Sequence, residues 1–266
     1  MRTDVSPERT VAFFLFAHQD DECGVYEQIH LALQAGQRVV CAYLTTGVPA
    51  GGDASRRDGE SLGVLRRLGV REEDVIFAGR QLLIPDGDLI HRLSDAARWL
   101  AEWMVGHVGL AGVYVPAWEG GHPDHDALHA ITVKLCSDAG VGSVVYQYPL
   151  YNGLHCVKPF FRVFLPLGEN GPVQRSVIPW RRRLGFLQHA LSYPSQWRTW
   201  VGLFPFFLLY YIFRGVQIVQ PVNALRLQVR PHEGALYYEM RQFSSWDIVA
   251  SSLREWMATM PMMQNK

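Results

Sequence analysis

The segment AHQDDE, Ala17 to Glu22, gathers one histidine, two aspartates and a glutamate into consecutive positions behind an apolar run. Imidazole and carboxylate donors together suit a borderline cation such as Zn²⁺. His18 and Asp21 stand at i and i+3, so a tight turn or a first helical turn aims both at one spot while Asp20 projects differently. Either aspartate alone reads as a helix N-cap, accepting orphan backbone N–H bonds. Capping needs only one acid, so two acids behind a histidine call for a chemical role. A second cluster, WEGGHPDHDALHA, supplies His122, Asp124 and His125. His129, one turn after His125, is expected to be a partly exposed helical histidine. His91, His107, His155 and His189 have no acid–histidine cluster around them, and His232 in RPHEG would reach a pocket only if the C-terminal part folds over it.

The elements that must position these residues follow from periodicity. Between residues 11 and 148, short apolar, β-branched or aromatic runs alternate with longer segments of helical period, the mark of stacked βαβ units. Strands are expected at Val11–Ala17, Arg38–Thr46, Asp74–Ala78, Gly112–Ala117 and Ser143–Tyr148. The first four are near-continuously apolar, as strands covered on both faces are. Helices are expected at Glu22–Ala35, Arg57–Leu68, Ser94–Gly106 and from Asp124 toward Gly140, the first two closed by Gly36 and Gly69. The fold class is therefore α/β, a doubly wound, Rossmann-like and mostly parallel sheet. In the strand order 3-2-1-4-5 the first and fourth strands are neighbours. The two histidine clusters, which follow those strands, then meet at the topological switch point, where open α/β sheets bind ligands. After Tyr151 the rhythm changes to Pro-punctuated strands and helices. Residues 1–151 are expected to form the catalytic core and 152–266 an appended α+β subdomain that completes the pocket.

Other chemistries lack their residues. AHQDDE has no G-x-G-x-x-G for a dinucleotide, and the loop GVPAGGDAS lacks the Gly-Lys-Ser/Thr ending of a P-loop. No G-x-S-x-G elbow stands at a strand-to-helix turn for a serine hydrolase: the match at Gly59–Gly63 falls inside the expected helix Arg57–Leu68. With 25 basic and 25 acidic residues in 266, there is no global field to attract nucleic acid. Cys23, Cys41, Cys136 and Cys156 form no C-x-x-C pair and read as reduced thiols. The polar start and the short apolar run that follows it do not make a signal peptide, so the expected location is the cytoplasm. The apolar stretch Trp200–Phe213 falls short of the about 20 residues that span a bilayer. It is expected as buried core or pocket wall, with a peripheral contact at the inner face of the membrane as the second reading.

The two motifs resemble the AHPDDE and HPDH motifs of the PIG-L/LmbE-like zinc de-N-acetylases. The resemblance extends through Thr45–Gly47, Arg57, Glu60, Leu68–Val70 and the PDG at Pro85–Gly87, and thins after residue 150 to YPSQ at Tyr193–Gln196. Gln19 stands where the family usually has proline. The resemblance implies one Zn²⁺ per chain held by His18, Asp21 and His125, with Asp20 as general base. It further implies that His122 stabilises the oxyanion or protonates the leaving amine, that Asp124 orients it, and that Arg57 and Asp86 face the substrate. The implied activity is a metal-dependent N-deacetylase acting on an N-acetylglucosamine-type sugar in a glycan, glycolipid or small glycoconjugate. Trp180, Trp197 and Trp200 are candidates for sugar-stacking or lipid-facing surfaces. Two alternatives stay open: a zinc amidase cleaving another amide conjugate, and a metal-containing sugar-binding protein without turnover. The sequence leaves the oligomeric state undetermined.

Overall fold

The computed structural model describes residues 10–259. In chain order the main elements are β1 (Val11–Phe16), α1 (Tyr26–Gln34), β2 (Arg38–Tyr43), α2 (Ser55–Leu68), β3 (Val75–Phe77), the short α3 (Ala78–Leu82), α4 (Leu93–Val105), β4 (Leu110–Pro116), α5 (Pro123–Asp138) and β5 (Val145–Tyr148). They continue with β6 (Tyr151–Asn152), β7 (Arg162–Val163), β8 (Gln174–Val177), α6 (Trp180–Ala190), α7 (Trp197–Phe213), β9 (Val216–Pro221), the short α8 (Tyr237–Met240) and α9 (Trp246–Thr259). Seven strands form one sheet in the order β3-β2-β1-β4-β5-β9-β8. The first five are mutually parallel, which matches the expected 3-2-1-4-5 arrangement. β9 and β8 extend the same sheet antiparallel, while β6 and β7 make a separate pair.

Why the sheet is covered on both faces is visible in β1, whose six residues are all buried. Its side chains alternate: Phe13 and Leu15 join a core with α4, α5 and α9, and Ala12, Phe14 and Phe16 join a core with α1, α2, α6 and α7. A run without polar alternation is what two-sided coverage demands. The C-terminal segment thus contributes to both layers. α2 ends as its sequence implies, with Gly69 at φ 102° donating back to the carbonyls of Leu65 and Arg66.

One expected boundary moves for a reason that concerns the site. The first helix does not begin at Glu22; a 3₁₀ turn occupies Asp21–Gly24 and α1 starts at Tyr26. Asp20 sits at φ 120°, rare for a residue with a Cβ. The chain leaving β1 is held in a fixed turn by the side chain of Asp21, and a regular helix starts only past it.

Candidate active site

The first turn is organised by Asp21. Its Oδ2 accepts the backbone N–H groups of Ala17 (2.9 Å) and His18 (2.8 Å), which fixes the carboxylate beneath the end of β1 and leaves Oδ1 facing His125. Arg57, buried on α2, donates to the carbonyls of Gln19 (2.7 Å) and Gly47 and lies 3.6 Å from Asp20 Oδ1. Gln19, the departure from proline, donates to Asp58 Oδ1 at 2.7 Å. A Cβ at Gly47 would stand 2.0 Å from Gln19 Oε1, so the glutamine is accommodated only because residue 47 has no side chain. Turn rigidity that a proline ring would supply comes here from the Gln19 and Arg57 bonds.

The second cluster opens α5. His122 is its N-cap, its Nδ1 accepting the Asp124 backbone N–H at 3.2 Å, and Pro123 follows at the first helical position. With Nδ1 an acceptor, Nε2 carries the proton. A Cβ at Gly121 would lie 2.2 Å from the Tyr151 carbonyl oxygen, so the loop can approach β6 only with glycine. The carboxylate of Asp124 stands 3.8 Å from His122 Nδ1 and makes closer contacts elsewhere. Its oxygens accept the N–H groups of Gly87 (2.7 Å) and Leu89 (3.0 Å) and the proton of His18 Nε2 (3.0 Å). Asp124 therefore orients His122 through its backbone and His18 through its side chain.

The clusters meet as the topology requires. His18 Nδ1 lies 3.2 Å from His125 Nε2, which lies 3.1 Å from Asp21 Oδ1. Ligand atoms of His18, Asp21 and His125 fall within 4.8 Å of one another, all buried. These contacts gather two ring nitrogens and a carboxylate oxygen around one point, an arrangement that a cation can fill. His125 Nδ1 is buried without a partner among the described residues. Two imidazoles and one carboxylate with a second layer of hydrogen bonds fit a divalent cation of the zinc type.

Electrostatics divide the carboxylates. Burial pushes Asp20 up to about 7, opposed by Arg57 and reinforced by Asp21 and Glu22. A cation held beside it would draw it back down. Burial acts the same way on Asp21, but His125 overrides it and holds that carboxyl down at about 2. Asp86 stays well below the usual carboxylate range: burial opposes this, and His18 and His122 outweigh it. Burial and the neighbouring His18 bring His122 down to about 4, so its imidazole is neutral near pH 7 and offers Nε2–H as a donor.

His18, Asp20, Asp21, Arg57, Asp86 and His122 line a cavity of about 380 Å³. His122 Nε2 is 3.7 Å and His18 Nε2 3.2 Å from Asp86 Oδ1. The opposite wall comes from the C-terminal half, including Phe161, Trp200, Leu203, Tyr237, Arg241 and Phe243. Trp200 and Leu203 fall in the stretch Trp200–Phe213 expected as buried core or pocket wall; no motif marks Phe161, Tyr237, Arg241 or Phe243, whose sequence signal is no more than local aromatic density. YPSQ proves structural as well as adjacent: Ser195 binds Glu60 through its backbone N–H (3.0 Å) and hydroxyl, and Gln196 lines the cavity. Of the three tryptophans singled out, Trp180 and Trp197 are exposed and lie outside the cavity lining. His129 is not partly exposed but buried, facing the Pro116 carbonyl oxygen through Nδ1 at 2.8 Å, because α5 is covered on nearly every side. His232 is buried and does not line the cavity. All four cysteines are free thiols.

Residues 13–136 match the family model PIG-L, described as GlcNAc-PI de-N-acetylase. No curated protein sequence matches the chain. Among solved structures, the fold is similar to a deacetylase of the teicoplanin biosynthesis pathway, with a TM-score of 0.60 and 18% identity over 80% of this chain and 98% of that one. It is also similar to the zinc-inhibited form of teicoplanin deacetylase Orf2 (TM-score 0.53, 18% identity, 70% and 85% covered). A third is the N,N′-diacetylchitobiose deacetylase from Pyrococcus horikoshii (0.54, 16%, 84% and 88%). At these identities the likeness is one of fold. The matched segment, which resembles the PIG-L family, holds both histidine motifs and all three converging side chains.

Proposed function

We propose that the protein is a zinc-dependent hydrolase that removes the N-acetyl group from an amino sugar of the N-acetylglucosamine type, carried in a glycan, glycolipid or small glycoconjugate. The observation that carries this reading is the convergence of His18, Asp21 and His125 from the ends of β1 and β4, with the unliganded carboxylate of Asp20 beside them in a cavity. Residues 1–151 act as the catalytic unit, and 152–266 complete the pocket.

His18, Asp21 and His125 would hold one zinc per chain, which supplies Lewis-acid activation of the amide carbonyl and of a water. Asp20 takes a proton from that water as it adds to the acyl carbon. His122 donates Nε2–H to the oxyanion that develops on the former carbonyl oxygen. The C–N bond then breaks, a proton reaches the amine, and acetate and a free amino sugar leave. Arg57 holds the Asp20 turn through Gln19 and Gly47, and with Asp86 it faces the sugar and its hydroxyls. Incubating the protein with N-acetylglucosaminyl conjugates and measuring acetate and primary amine tests the proposal. Release of both in equal amounts supports it, and release of neither across a range of added zinc contradicts it. The range matters because a structurally similar deacetylase is known in a zinc-inhibited form.

A further inference from the structure

α7 is apolar on both of its faces. Trp200, Phe207, Tyr210 and Tyr211 point into the core, while Trp197, Val201, Leu209, Ile212 and Phe213 are 39–78% exposed. At 100° per residue the exposed set occupies one side of the helix, where an ordinary surface helix would carry charge. No charged residue occurs between Arg198 and Arg214. α6, which packs against α7, exposes Trp180 and Leu184, and Leu191 just past its end is exposed too. A continuous exposed apolar helix face of this kind marks an interaction surface. No helix among the described residues is long and apolar enough to cross a membrane.

Charge decides what covers it. From Glu169 to Glu233 there is no other Asp or Glu, and the interval holds eight arginines and no lysine, in a chain that is neutral overall. Arg182 and Arg230 pair with Glu27 and Glu239. Arg175, Arg181, Arg198 and Arg214 are exposed and enter no ion pair among the described residues. A second copy docked by a two-fold axis would set this arginine-rich face against itself. An anionic bilayer would instead take the apolar side chains at its headgroup–acyl boundary and the guanidinium groups among its phosphates.

We infer that the outer face of α7, with the exposed arginines around it, docks on an anionic lipid surface. Arg198 and Gly202 also line the active-site cavity, so docking would turn the cavity mouth toward the bilayer. The inference goes beyond the proposed reaction and does not rest on it, since its readout contains no turnover.

The test is sedimentation with phosphatidylcholine vesicles with and without phosphatidylglycerol, in low and high salt. The protein is expected to bind only the anionic vesicles and to leave them as the Debye length shrinks from about 10 Å to about 3 Å between 0.1 and 1 M salt. Leu209→Glu with Phe213→Glu should abolish binding with the thermal midpoint unchanged, because both side chains are exposed. Arg181→Glu with Arg214→Glu should weaken it by about fivefold or more per position. Failure of the unsubstituted protein to bind anionic vesicles, or binding by both variants as strong as that of the unsubstituted protein, overturns the inference. So does a dimer that Leu209→Glu with Phe213→Glu splits while vesicles go unbound, which would assign the face to self-association.

Discussion

The two sides of the cavity are built by different rules. The floor comes from the carboxyl ends of two adjacent parallel strands, where His18, Asp20, Asp21, His122 and His125 follow β1 and β4 and are locked by backbone hydrogen bonds. The opposite wall comes from residues between Phe161 and Phe243, spread over a loop, α7 and α8, and it is mainly aromatic and aliphatic with Arg198 and Arg241 at the rim. The floor holds groups whose positions must be fixed within a fraction of an ångström, which rigid strand ends provide. The wall needs shape and apolar area, which many sequences can supply. Chemistry should therefore reside on the floor and substrate preference on the wall.

The largest expected effect breaks the comparison on the floor side. Removing metal with a chelator should abolish acetate release, and adding zinc should restore it; activity that persists at undetectable divalent metal would show that the floor works without a cation. Next, His122→Gln should lower kcat by about 100- to 1,000-fold, as loss of an oxyanion donor does, while metal content measured by elemental analysis stays at one per chain. On the wall, Phe243→Ala removes a half-exposed ring that packs 5.7 Å from His122. It should raise KM by roughly tenfold, the loss of about 1.4 kcal/mol of uniform binding, and change kcat little. A fall in kcat equal to the fall in kcat/KM would mean that the wall shares in the chemistry. The smallest effect concerns the joint between the two sides. Tyr193→Phe deletes the 2.6 Å bond to buried Glu22 Oε1 and should cost about 1–3 kcal/mol in urea unfolding, with KM nearly unchanged.

The same division governs what could be read in the sequence. β1 and β4 announce themselves as unbroken apolar runs, and each hands directly to its motif, so the switch point and the convergence of His18, Asp21 and His125 followed from strand order alone. Local chemistry that depends on contacts distant in sequence did not. The 3₁₀ turn at Asp21–Gly24 arises from the carboxylate of Asp21 reaching back to Ala17 and His18, where helical periodicity suggested an uninterrupted helix from Glu22. The choice of His18 rather than His122 as the partner of the Asp124 carboxylate depends on a separation of 106 residues. His129 looked half-exposed because α5 carries polar residues on several sides, yet α4, α9 and the sheet enclose it. The aromatic run at Trp200–Phe213 reads as core by composition, and half of it is; the other half faces outward, a distinction that hydropathy without a partner helix cannot make.

The neighbouring carboxylates test the account most directly. Asp20→Asn and Asp21→Asn are the same chemical change one residue apart, nearly isosteric in both places. Asp20 touches no proposed ligand nitrogen and should act as proton acceptor, so Asp20→Asn is expected to retain one zinc per chain and lose about 100- to 10,000-fold in kcat. Asp21 sits 3.1 Å from His125 Nε2 and anchors the turn, so Asp21→Asn is expected to lose the metal itself. Metal content and kcat measured together on the two variants decide the matter. Near-normal turnover in Asp20→Asn, or equal metal loss in both, would contradict the roles assigned to this site.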